Sequence, residues 1–202
     1  MKYLKKFNEN IELWEDWEEE ELDDSFIIWL EQNYPDKSKW NQMIELDCSN
    51  SNLDSLEGVE KLYNLEYLSC HNNNLTSLEK IEDLINLKSL YCFNNNLTSL
   101  KGIENLINLK HLHCDNNDLT SLKEIENLTN LRSLYCHNNN LTSLEEIENL
   151  TNLKNLWCNN NNLTSLKEIE NLTRLEYLWC GHNQLKLIDK LKIKLKVKYI
   201  KI

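Results

Sequence analysis

Cysteine stands at Cys48, Cys70, Cys92, Cys114, Cys136, Cys158 and Cys180 and nowhere else, each 22 residues after the one before. No other feature restricts the fold so tightly. A period held this strictly marks units that cannot bury their own apolar faces and must stack on their neighbours. The 202 residues therefore read as one array with two ends, not as several domains.

Around the cysteines lies a fixed frame. Written from Leu65 to Asn86, the second unit has apolar residues at repeat positions 1, 4, 6, 11, 14, 17 and 20 and an asparagine at 9. Leu87, Leu90, Cys92, Asn95, Leu97, Leu100, Ile103 and Leu106 fill the third unit in the same way, and Leu131 to Leu150 fill the fifth. The first unit begins at Met43 and carries Ser51 in place of the asparagine, while the seventh, from Leu175, loses the pattern after Leu191. Looser end units are expected where a repeat has only one neighbour.

The L-x-x-L-x-C-x-x-N-x-L frame resembles the leucine-rich repeat family, in the 22-residue class of protein phosphatase regulatory subunits and bacterial internalins, over residues 43–191. The resemblance implies an α/β repeat solenoid: a leucine-rich repeat horseshoe with a parallel concave sheet. It implies no particular function, because this scaffold carries many unrelated ones.

The frame also has a direct physical reading. Alternation in L-x-x-L-x-C turns positions 2, 3 and 5 away from the apolar ones, so each unit supplies a short strand about 4.8 Å from the next. Asn73, Asn95, Asn117, Asn139, Asn161 and Asn183 are expected to form a column whose amides bond backbone groups in the turn after the strand. With three glycines and one proline in the chain, these asparagines are also expected to carry the turns. Apolar spacing of three over residues 78–84 suits a short 3₁₀ segment on the convex side. Glu60, Glu82, Glu104, Glu126, Glu148 and Glu170 form a like-charge column there, which lysines such as Lys101, Lys123 and Lys167 are expected to offset.

Each cysteine occupies an inward position, where a thiol serves as a small hydrophobe. Disulfides and zinc are disfavoured by the odd count, the lack of any C-x-x-C pair and a spacing that gives a ladder. Residues 1–10 lack an apolar signal core and no stretch approaches the length of a membrane span, so a cytoplasmic protein is expected, or one acting in a host cytoplasm if it is an effector. Without secretion, the recurrent Asn-Leu-Thr sequons reflect only the repeat consensus.

Residues 1–42 read as a helical N-terminal cap. Ile11, Trp14, Trp17 and Leu22 suit one helix; Phe26, Trp29 and Leu30 suit a second, begun by Asp24 or Ser25 and ended by Pro35. Residues 192–202 read as a lysine-rich C-terminal cap strand, with Ile193, Leu195, Val197 and Tyr199 alternating against Lys192, Lys194, Lys196 and Lys198.

Function is sought where the repeats differ. The convex columns are nearly uniform, but the outward strand positions change from unit to unit: Tyr67, His111 and Tyr177 at position 3; Tyr91, His113, Tyr135, Trp157 and Trp179 at position 5; His71, Phe93, Asp115 and His137 at position 7. Aromatics on a rigid sheet offer large contact area at low entropic cost, the composition of protein-recognition surfaces. The competing reading is that these rings merely stack and stiffen the sheet. The sequence points to a non-enzymatic module that binds a protein or extended peptide on this face, as an adaptor, regulatory subunit or effector. A monomer is expected, with no cofactor, no nucleic acid at a net charge of −11 and no membrane. The alternative is a metal- or proton-responsive site made by His111, His113, Asp115 and His137.

Overall fold

The computed structural model describes residues 25–186 and 197–202. Eight short strands form one open parallel sheet in sequential order: β1 Glu45–Asp47, β2 Tyr67–Ser69, β3 Ser89–Tyr91, β4 His111–His113, β5 Ser133–Tyr135, β6 Asn155–Trp157, β7 Tyr177–Trp179 and β8 Tyr199–Lys201. Through β7 every residue pairs with its counterpart exactly one repeat later, as Leu90 does with Leu112 and Tyr91 with His113. A one-residue slip would turn every leucine to water, so the apolar frame fixes this register.

The leucines and isoleucines of the frame, together with all seven cysteines, make one continuous buried cluster. Burying each such side chain contributes roughly 1.5–3 kcal/mol against chain entropy. Opposite the sheet the chain turns through short 3₁₀ segments, Val59–Leu62, Glu79–Ile81, Lys123–Ile125, Glu145–Ile147 and Lys167–Asn171. Serines start four of these turns: the hydroxyls of Ser77, Ser121, Ser143 and Ser165 each accept the N–H two residues on. The third unit instead passes through Gly102 at φ +105°, where a Cβ would strike the backbone of Leu78 and Glu79. Lys101 pairs with Glu79, its own counterpart one repeat earlier, while Glu104 and Glu82 of the expected column also act on it; Lys167 pairs with Glu145, likewise one repeat earlier, and lies near Glu168.

Two asparagine columns share the work that the sequence assigns to one. Asn139 Oδ1 accepts the Leu119 N–H at 2.9 Å, and its Nδ2 donates to the carbonyls of Cys114 and Cys136 at 3.1 and 3.2 Å. Asn73, Asn95, Asn117, Asn161 and Asn183 repeat these bonds, each clamping its own unit to the previous one. The turns themselves are carried one residue earlier. Asn72, Asn94, Asn116, Asn138 and Asn160 adopt φ between 53° and 55°, a region that short polar side chains tolerate. The two tasks separate because a clamping amide must point into the buried backbone, whereas the left-handed residue lies at the surface.

At the N-terminal side, helix α1 spans Ser25–Asn33 and buries Phe26 and Leu30 fully in the same cluster, with Trp29 partly covered. Ile27 lies directly against Gly58, leaving no room for a Cβ there. Trp40 is buried and donates its indole N–H to the Tyr34 carbonyl at 2.8 Å. The first expected helix, with Ile11, Trp14, Trp17 and Leu22, lies outside the described residues, as do Lys192, Ile193, Lys194, Leu195 and Lys196.

The C-terminal strand departs from its expected alternation. Ile200 pairs with Leu178 and is the inward residue, while Tyr199 pairs with Tyr177 and Lys201 with Trp179 on the outward face. Val197 is buried as expected, but a bend at Lys198 shifts the parity, so that Tyr199 turns out. Sequence alternation alone does not register such a bend.

Candidate functional site

On the open face of the sheet, outward residues at positions 5 and 7 form two parallel files. In the first, Tyr91 meets His113 at 4.4 Å between ring centroids and His113 meets Tyr135 at 4.0 Å, while Tyr67, at position 3 of the preceding strand, reaches Tyr91 diagonally at 5.2 Å. Tyr135 then meets Trp157 at 4.6 Å and Trp157 meets Trp179 at 5.2 Å. Beyond them, Lys201 Nζ sits 3.9 Å above the Trp179 ring, a cation–π contact. Parallel strands repeat at about the thickness of a ring stack plus a small offset, so a ring at position 5 in successive units must touch the next.

The second file is mixed. His71 stacks on Phe93 at 4.2 Å, and its Nδ1 shares a hydrogen bond of 2.9 Å with the Ser69 hydroxyl. Asp115 and His137 follow, with Oδ2 and Nε2 3.4 Å apart. Asp115 is only 7 % exposed, so it does not stand on the surface as the sequence reading expects; it meets His137 and accepts Asn116 Nδ2 at 2.8 Å. That bond takes the Asn116 amide N–H, so the amide ladder runs in two pieces, one linking Asn50, Asn72 and Asn94 and the other Asn116, Asn138 and Asn160. His137 Nδ1 and the neighbouring Asn159 Oδ1 are buried without a hydrogen-bond partner among the described residues.

Desolvation dominates the electrostatics of this face. Burial among the rings pushes His113 down to about 4, helped by the neighbouring His111 and His137. His111 is lowered by its own partial burial and then by Arg132 and Lys110. Asp115 is raised by burial, against the pull of His137. One residue further along each strand, burial pushes the thiols up, Cys48 to about 12 and Cys70, Cys92, Cys114, Cys136 and Cys158 well above their ordinary value. Such thiols are inert as nucleophiles.

The structure thus gathers Tyr67, His71, Tyr91, Phe93, His111, His113, Tyr135, His137, Trp157, Tyr177 and Trp179 on one half-buried to exposed face, with Asp115 beneath it. Sequence reading missed Tyr199 and Lys201. Tyr199 stacks on Tyr177 at 4.6 Å, and with Trp157, Trp179 and Lys201 these rings border a shallow hollow of about 220 Å³ at the end of the file. The signal available was Ile200, which aligns with the inward leucine once strand pairing is known. Metal binding loses its geometric basis: among the described residues no group of three His, Cys, Asp or Glu is placed to hold an ion. No helix of the described residues is long and apolar enough to cross a membrane.

A stack of single parallel strands joined by turns, clamped by a buried asparagine column, is the architecture of a leucine-rich repeat solenoid. The sequence agrees: the family described as leucine-rich repeats (two copies) matches residues 85–127, 107–149, 129–171 and 151–193, and the chain belongs to that family. A search of curated proteins finds no match. Among solved structures, an internalin (inlF) from Listeria monocytogenes is similar at 28 % identity and a TM-score of 0.77, covering 81 % of this chain. The chain spans 48 % of that internalin's length. An internalin C2 from the same species (22 % identity, TM-score 0.68, 82 % of this chain and 83 % of that one) and a TDR receptor (24 %, 0.70, 81 % and 31 %) share the fold.

Proposed function

We propose that this protein is a non-enzymatic interaction module that holds a protein or an extended peptide across the open face of its sheet. The observation that carries the reading is the unbroken run of ring contacts from Tyr67 through the position-5 file of Tyr91, His113, Tyr135, Trp157 and Trp179. The rings stack on one another, as the stiffening reading requires, yet they remain partly open to water, and Tyr177 and Tyr199 beside them are 45 and 49 % exposed. Stacking needs only pairs; a continuous apolar strip on a sheet without side-chain cover offers area that a partner is needed to remove from water. The rings lose little entropy on binding because their neighbours already hold them.

Rigid display with a variable outer face fits an adaptor, a regulatory subunit or an effector, acting as a monomer. Seven reduced, buried thiols support work in a reducing compartment such as a cytoplasm. The test is partner capture by the wild-type chain and by the Trp157→Ala, Trp179→Ala double variant. The reading requires capture to fall by about a hundredfold or more with the circular dichroism spectrum intact. Undiminished capture by the double variant would leave the rings a purely internal role.

A further inference from the structure

Repeat position 2, just before each strand, reads Ile44, Glu66, Lys88, Lys110, Arg132, Lys154 and Glu176. In a chain of net charge −11 this column concentrates cations at its centre. The backbone holds them in place: the carbonyl of Lys88 accepts the N–H of both Lys110 and His111 at 2.8 and 3.1 Å, and that of Lys110 does the same for Arg132 and Ser133. Successive side chains therefore rise from strands about 4.8 Å apart.

A second column brings another cation to the same edge. Position 22 is asparagine in the earlier units, where Asn130 Nδ2 donates to the Ile107 carbonyl and Asn152 Nδ2 to the Thr129 carbonyl at 2.9 and 2.8 Å. In the sixth unit Arg174 takes that place and donates to Asn152 Oδ1 at 2.6 Å. Between the two columns lies a hollow of about 290 Å³ lined by Lys110, Asn130, Arg132, Asn152, Lys154 and Arg174. Among the described residues its wall has four cations and two amides, and no carboxylate.

Neutralisation by the described residues is incomplete. Lys88 pairs with Glu66 at 2.6 Å, and Lys154 reaches Glu176 only at 4.0 Å. Among the described residues Lys110 and Arg132 have no ion-pair partner. The field of these two is felt next door, where it adds to burial in lowering His111. Four like charges along one edge repel each other at ordinary ionic strength, and an anion seated among them removes that cost.

We propose that the hollow at the strand starts of β4 to β6 is a carboxylate-binding site, which receives an acidic stretch of the partner that lies across the neighbouring rings. The proposal rests on the protein-binding reading and adds the chemistry of the partner. Arg132 and Arg174 present planar forks suited to paired oxygens, and Lys110 and Lys154 add point charges on either side. A short acidic peptide fits better than a nucleic acid: Glu66 and Glu176 end the column with negative charge, and the surplus of acid elsewhere repels a long polyanion.

The test measures fluorescence anisotropy of a labelled peptide of glutamate and serine, lacking aromatic and apolar residues, with the full chain. Binding at low salt that weakens as salt rises is expected, with a loss of about tenfold or more in the Lys110→Ala, Arg132→Ala double variant. Both residues are surface cations, and an unchanged circular dichroism spectrum confirms that the variant is folded. The Trp157→Ala, Trp179→Ala variant should bind this peptide as the wild type does, which separates failure of this site from failure of the ring face. Absence of binding at low salt, indifference to the double variant, tighter binding of single-stranded oligothymidine, or displacement by inorganic phosphate beyond its effect as a salt would each overturn the assignment.

Discussion

One residue separates two columns that obey opposite rules. Cys92, Cys136 and Cys158 face inward, identical in every unit and wholly buried, while Tyr91, Tyr135 and Trp157 face outward and vary along the sheet. Inside, the space between stacked units is the same at every level, so one small side chain serves throughout. Outside, no packing constraint requires sameness, and the residues that occur there are large and ring-bearing. Uniformity therefore marks what the array needs to stand, and variation marks where it meets something else.

The largest effect is expected inside. Asn139→Ala removes an acceptor from the Leu119 N–H and a donor from two cysteine carbonyls, and buried groups left unpaired cost about 1–3 kcal/mol each. Urea unfolding should show a loss of about 3 kcal/mol or more. A drop below about 1 kcal/mol would mean that water replaces the amide and that the clamp is not needed.

Gly102→Ala comes next, because the new methyl meets backbone at a positive φ. About 2 kcal/mol is expected from the same measurement, whereas Ala at exposed Lys101 should change stability by less than about 0.5 kcal/mol.

The outer column should behave differently. Trp157→Ala alone is expected to cost about 1 kcal/mol, the value of a partly exposed ring contact, while weakening partner capture far more. Stability loss comparable to that of Asn139→Ala would make the rings part of the scaffold and erase the contrast between the columns.

The smallest effect is in pH dependence. His113 titrates near 4 in the folded chain against 6.5 for the ordinary side chain, so the unfolded chain binds more protons between those values. Stability from this residue is complete above about pH 6.5 and falls as the solution is acidified toward 4. Asp115, raised by burial, contributes with the opposite sign over its own range. His113→Phe keeps a ring in the stack and should flatten the decline between pH 6.5 and 4 in denaturant midpoints; an unaltered slope would show that the ring stack does not desolvate His113.

Much of this was legible because the period does the counting. Strand spacing, register and the outward set follow from apolar residues at fixed positions, and the buried asparagine clamp follows from the need to pair turn backbone. What escaped depends on three dimensions. The left-handed role of Asn72 and its equivalents cannot be told from the clamp of Asn73 when both are asparagine and adjacent. Asp115 sinks beneath the face, where it meets His137 of the next unit. Tyr199 and Lys201 reach the face through a bend that alternation does not announce. The cationic column of Lys110 and Arg132 was present in the sequence, but its meaning depends on Arg174 reaching in from another column and on the lack of carboxylates between them among the described residues.

The alternation of inward thiols and outward rings can be read by alkylating the native chain and locating the modified cysteines by mass spectrometry. Iodoacetamide should leave Cys92, Cys136 and Cys158 unmodified under native conditions and modify them once denaturant is added. Ready alkylation of these cysteines in the folded protein would place them at the surface, turn the rings inward and remove the proposed contact face.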